Sequence, residues 1–158
     1  MQERSVIHDT FVIEKKYAAS PERVFAAFSD PAQKRRWFLE SGGHEVLSYA
    51  MDFREDGCEQ ARIRFKAGTP VAGLECVSDT RYQAIVPCRY MVFANTMDIG
   101  GRTISSALVT VEVVPDGEGS EVVVTHQGAF FEGADGPEMR KGGWQALMER
   151  LATHLATG

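Results

Sequence analysis

Hydrophobic and polar positions along the chain keep two rhythms. In Phe11-Val12-Ile13-Glu14-Lys15-Lys16-Tyr17 the apolar Phe11, Ile13 and Tyr17 share one parity, as in a strand with one buried face. Strand-like runs then follow at about 44–54, 59–67, 72–85, 88–98, 103–114 and 121–131. Turn chemistry separates them: Asp56-Gly57, Gly68-Thr69-Pro70, Val86-Pro87, Gly100-Gly101 and Pro115-Asp116-Gly117. Such short connections predict an antiparallel meander, with Pro87 at a strand end or bulge.

The rhythm turns helical at three places. Ser20-Pro21-Glu22 reads as an N-cap serine with proline at the first helical position, and Val24, Phe25 and Phe28 supply the apolar stripe. Asp30-Pro31 restarts the pattern, with Gln33 at capping-box spacing, and runs through Lys34-Arg35-Arg36 to Trp37-Phe38. The basic triplet reads as a solvated face near the helix C-terminus. Over 137–156, Trp144, Leu147, Met148, Leu151 and Leu155 recur at helical spacing on one broad stripe. Gly142-Gly143 inside it costs about 2 kcal/mol against alanine, which predicts a bend or a close backbone approach.

A strand, two short helices, a meander and one long amphipathic helix predict an α+β domain. A curved sheet of six to seven strands wraps around the C-terminal helix, and the short helices close one end. One helix and a strongly curved sheet leave space between them, so an apolar cavity is expected there.

Composition narrows the function classes. The chain of 158 residues is 44% apolar and 25% charged, which fits one soluble domain spanning residues 1–158. A net charge of −5 argues against nucleic acid as a partner. No apolar run is long enough for a membrane helix, and no basic cluster suits anionic lipid. The N-terminal MQERSVIHDTFVIEKKY lacks the apolar stretch of a leader. Cys58, Cys76 and Cys88 show no paired spacing and are expected as reduced thiols in a cytoplasmic protein. The histidines His8, His44, His126 and His154 fall on different elements, so neither a metal nor a cofactor is expected.

Several motifs together resemble a known family. They are Phe11-Val12-Ile13-Glu14, Ala19-Ser20-Pro21-Glu22-Arg23-Val24-Phe25-Ala26-Ala27-Phe28, Asp30-Pro31 and Trp37-Phe38, followed by the turn Asp52-Phe53-Arg54-Glu55-Asp56-Gly57. Arg81-Tyr82-Gln83-Ala84-Ile85-Val86-Pro87, Thr125-His126-Gln127-Gly128-Ala129-Phe130 and Gly143-Trp144 with Leu147 and Leu151 complete the set. Their order and spacing are similar to the SRPBCC (START/Bet v-like) superfamily. Within it they resemble the family named for the C-terminal domain of the activator of heat-shock-protein-90 ATPase. The resemblance covers about residues 10 to 156 and implies the helix-grip fold. Functions in the superfamily include lipid carriage, hormone reception, polyketide cyclisation and co-chaperone activity, so fold alone does not choose among them. His126 stands where the family pattern usually has an acid.

The expected cavity wall is Trp37, Phe53, Tyr82, Phe93, Trp144, Leu147 and Met148, with Thr110 as a polar anchor. His126 shares parity with Val122 and Val124, and so faces the cavity. It is read as a polar anchor and not as a catalytic base, since no carboxylate is identifiable as its partner. Glu75, Asp79 and Arg81 share the opposite parity to Tyr82 and read as a solvent face. The first functional reading is binding of a small hydrophobic molecule. An enzyme of cyclase, dehydratase or hydrolase type using His126 is the alternative, and a chaperone contact is a third. Monomer and homodimer both stay open.

Overall fold

The computed structural model describes residues 5–157; the first four, part of the polar N-terminus read above, and Gly158 lie outside the described residues. The elements in chain order are β1 (Val6–Tyr17), α1 (Pro21–Ser29), α2 (Pro31–Lys34), β2 (Glu45–Met51), β3 (Cys58–Arg64), β4 (Glu75–Val86), β5 (Tyr90–Ile99), β6 (Arg102–Asp116), β7 (Gly119–Phe131) and α3 (Gly136–Thr157). The strands form one antiparallel sheet in the order β1-β7-β6-β5-β4-β3-β2. β1 and β2 therefore lie on opposite edges, and α1 and α2 carry the chain across. This is the α+β helix-grip architecture.

Alternation decides which face is buried. Phe11 and Ile13 on β1, Val122 and Val124 on β7, Val109 and Val111 on β6 and Met91 and Phe93 on β5 all point to the concave side. Register shifts at Val46/Ser48, Tyr82/Ala84 and Met97/Asp98 mark bulges, which bend a sheet. α3 lays Met148, Leu151 and Leu155 into the hollow, where they join the core. Hydrogen bonds fasten it, among them Tyr17 Oη donating to the Met148 carbonyl at 2.9 Å and Arg23 Nη2 donating to the Leu155 carbonyl at 2.7 Å.

The caps follow the sequence. Ser20 Oγ accepts from the Arg23 amide at 3.3 Å, and Asp30 Oδ1 accepts from the Ala32 amide at 2.9 Å. The second helix is shorter than its apolar spacing suggested. After Lys34 it widens into a π-helical turn (Arg35–Leu39) and ends in a 3-10 turn (Glu40–Gly42). The wide turn swings Trp37 inward, where its indole N–H donates to the Ala27 carbonyl at 2.8 Å. Lys34 corrects the reading of a solvated basic triplet. It is 4% exposed, because the helical repeat places it on the face of Trp37 and Phe38. At Gly142-Gly143 the close backbone approach is not found: a Cβ built at either position would meet no atom within 4 Å. No close approach requires these glycines; Gly143 borders open space instead.

Candidate functional site

Between the sheet and the first half of α3 lies a cavity of about 350 Å³. Its walls are mostly apolar, with Phe28 and Phe38 from the short helices, Ile63 and Met97 from the sheet and Leu147 from α3. Of the nine residues expected there, Phe93, His126, Trp144 and Leu147 line it. The others are placed elsewhere. Trp37, Tyr82 and Met148 are among the most deeply buried side chains, and Phe53 packs edge-on against Phe25 and Tyr82. These four fill the core behind the wall, since an aromatic stripe packs first against its neighbours. Thr110 is not in the wall: it lies between the buried Val109 and Val111, so the pleat turns it to the convex face, across from Val92 and Thr125.

Buried polar groups mark the cavity in two places. The first was not anticipated. Lys34 Nζ lies 2.7 Å from Glu59 Oε1, and both side chains are 5% exposed. Tyr82 Oη donates to the same oxygen at 2.5 Å, and Tyr49 Oη donates to Glu59 Oε2 at 2.6 Å. The ammonium also faces the rings of Phe38, at 4.9 Å, and Phe93, at 6.0 Å. Burial by itself would raise the Glu59 carboxyl pKa. The charge of Lys34 and the hydrogen bonds from Lys34, Tyr49 and Tyr82 outweigh it and hold the carboxyl below its ordinary value. Both phenols are pushed up, by burial first and then by the Glu59 charge, so they stay protonated as donors. The signal in the sequence was parity: Glu59 alternates with Ala61 and Ile63, and the side chains of all three line the cavity.

The second group is His126, which is 1% exposed. Its ring stacks on Phe11, with centroids 4.6 Å apart, and on Phe130, at 5.8 Å. Gly128 makes the room: a Cβ there would lie 2.8 Å from the imidazole and 2.9 Å from the Phe130 ring. Among the described residues Nδ1 has no hydrogen-bond partner. Burial, with the nearby Arg140 charge, lowers the pKa to about 4. The acids on the strands of the sheet that could have approached it are engaged or turned away. Glu75 pairs with Arg62 and Arg64, Asp79 accepts from Gln60, and Glu112 is exposed. Asp135, on the cavity wall, is held by Arg140 through two hydrogen bonds of 2.8 and 3.0 Å. Among the described residues these contacts leave no carboxylate paired with the imidazole. Among the described residues no cluster of His, Cys, Asp and Glu could hold a metal ion. No helix among them is long and apolar enough to cross a membrane.

The comparisons agree with this architecture. Protein Mll3558 from Rhizobium loti is 42% identical, over 96% of this chain and 99% of that one, with a TM-score of 0.84. An uncharacterized protein from Rhizobium leguminosarum is 34% identical over 99% of this chain and 100% of its own, with a TM-score of 0.89. Protein CV1439 from Chromobacterium violaceum, at 22% identity over 92% and 96% of the two chains and a TM-score of 0.72, shares the fold. No curated protein matches the chain. The family described as Activator of Hsp90 ATPase homolog 1-like protein matches residues 18–156. The chain therefore belongs to that family, within the SRPBCC superfamily.

Proposed function

We propose that the protein binds a small, mainly apolar ligand in the cavity between the sheet and α3. One observation carries the reading: a hollow of about 350 Å³, large enough for a small organic molecule, has apolar walls and a few buried polar groups. Lys34, Glu59 and His126 belong to those polar groups and would fix a ligand's orientation. Lining residues such as Phe93, Trp144, Phe38 and Leu147 would supply its apolar contacts. A cytoplasmic setting suits the reading, with Cys58, Cys76 and Cys88 all free. No specific observation favours catalysis through His126.

A thermal-shift screen of hydrophobic metabolites tests it. A ligand at 100 times its dissociation constant stabilises the fold by about 2.7 kcal/mol. At roughly 2–4 °C per kcal/mol for a domain of this size, the midpoint rises by several degrees. Leu147→Trp, which fills the hollow, should abolish the shift. A screen without a shift, or one that Leu147→Trp leaves intact, overturns the proposal.

A further inference from the structure

The Lys34–Glu59 end of the cavity is lopsided in its hydrogen bonding. An ammonium carries three N–H donors. Among the described residues Lys34 Nζ has one hydrogen-bond acceptor, Glu59 Oε1, and otherwise meets the faces of Phe38 and Phe93, both of which line the cavity. Glu59 is saturated by comparison: one oxygen accepts from Lys34 and Tyr82, the other from Tyr49. The floor beside it shows the same bias. Thr80 lies directly opposite Glu59, and Ser78 opposite Ala61, across the β3–β4 ladder. Asn95 Nδ2 donates to Ser78 Oγ at 2.9 Å and to Thr80 Oγ1 at 3.0 Å. With their oxygens accepting from Asn95, the two hydroxyls have O–H bonds left to donate. Unspent donors in a buried site favour an acceptor.

Charge narrows the acceptor. Lys34 and Glu59 cancel. A carboxylate drawn to the ammonium would meet the Glu59 carboxylate directly behind it, with Oε1 2.7 Å from Nζ. A cationic ligand would meet the ammonium first. A neutral oxygen gains the donors without either repulsion. Resting on the cavity reading above, we propose that the ligand carries an uncharged carbonyl, as a ketone, ester or amide, whose oxygen accepts from Lys34 Nζ with the Thr80 and Ser78 hydroxyls beside it. The apolar remainder then lies along Phe93 and Trp144.

Three probes that share one apolar body separate the outcomes: 4-tert-butylcyclohexanone, tert-butylcyclohexane and 4-tert-butylcyclohexanecarboxylate, each titrated into the full chain by NMR. The ketone should bind about tenfold tighter than either of the others, the worth of one hydrogen bond to a charged donor. In Lys34→Met/Glu59→Gln, which removes both charges together, the ketone-to-hydrocarbon ratio should fall to about one. Thr80→Val, which leaves the ion pair in place, should lower the same ratio about threefold and serves if the double variant does not fold. Equal binding of ketone and hydrocarbon in the unmodified protein overturns the carbonyl assignment alone. Tightest binding of the carboxylate overturns it in favour of an anion site. If no probe binds, the cavity reading itself fails, and the assignment with it.

Discussion

Glu59 and His126 are buried to a similar depth on the same concave surface, and both have lost their titrating proton at neutral pH, yet one carries a charge and the other does not. The carboxylate accepts three hydrogen bonds, one from a cation, and stays charged. The imidazole lies between two aromatic rings, with Nδ1 unpartnered among the described residues, and stays neutral. Burial opposes charge in both cases; the partners decide the outcome. The first end of the cavity is thus a preorganised polar site, and the second a hydrophobic wall that contains a titratable ring.

The largest test of that contrast is Lys34→Met. It strands the Glu59 carboxylate, and breaking a buried pair in this way costs about 3–5 kcal/mol. Urea denaturation at neutral pH measures the loss. A value below about 1 kcal/mol would show that the pair is not coupled. His126 supplies the next effect through pH. Its folded pKa of about 4 lies below the ordinary 6.5, so the unfolded chain binds more protons between those values. Stability should be fully present above pH 6.5 and fall by on the order of 2–3 kcal/mol as pH drops toward 4. His126→Phe should flatten the stability curve from pH 6.5 down to about 5, above the range where Glu59 begins to take up protons. An unchanged slope would mean that other groups produce it.

A smaller effect should come from Tyr49→Phe, which removes the hydrogen bond to Glu59 Oε2. The expected loss is about 1–2 kcal/mol, with the acid unfolding midpoint moving to higher pH as the carboxylate becomes easier to protonate. Equal acid midpoints in variant and parent would remove Tyr49 from the set that holds the charge. The smallest change has the opposite sign. Gly143→Ala adds a methyl group where no atom lies within 4 Å, and should stabilise α3 by up to about 1 kcal/mol. Destabilisation would show that the glycine serves a backbone conformation after all.

The secondary structure was legible because its periods are local. The parity of Phe11 and Ile13, the turn residues and the stripe Met148, Leu151 and Leu155 each depend on near neighbours in the chain. The cavity was legible as a consequence of element order. Its polar end was not, because Lys34 and Glu59 lie 25 residues apart and meet only in the folded chain. A lysine beside two arginines looks solvated until the helix face of Trp37 is given weight. Tyr82 was placed on the correct side of its strand, but its role as a donor to Glu59 required the register of β3 and β4. Thr110 fails for a simpler reason: a single step of parity separates the wall from the convex surface.

The position of β1 also has a consequence for how the chain is made. Among the described residues β1 is one edge of the sheet and pairs with β7 alone, with Tyr17 opposite Ser120 and Val6 opposite Phe131. During synthesis the first strand leaves the ribosome without a mate. At roughly 5–20 residues per second, the stretch from Tyr17 to Gly119 takes about 5–20 s to appear. For that interval Phe11, Ile13 and Tyr17 are exposed on a strand that nothing yet covers. Closure of this seam therefore waits on the last strand of the sheet, so the β1–β7 ladder is a late event in synthesis whatever the order in which the other ladders form.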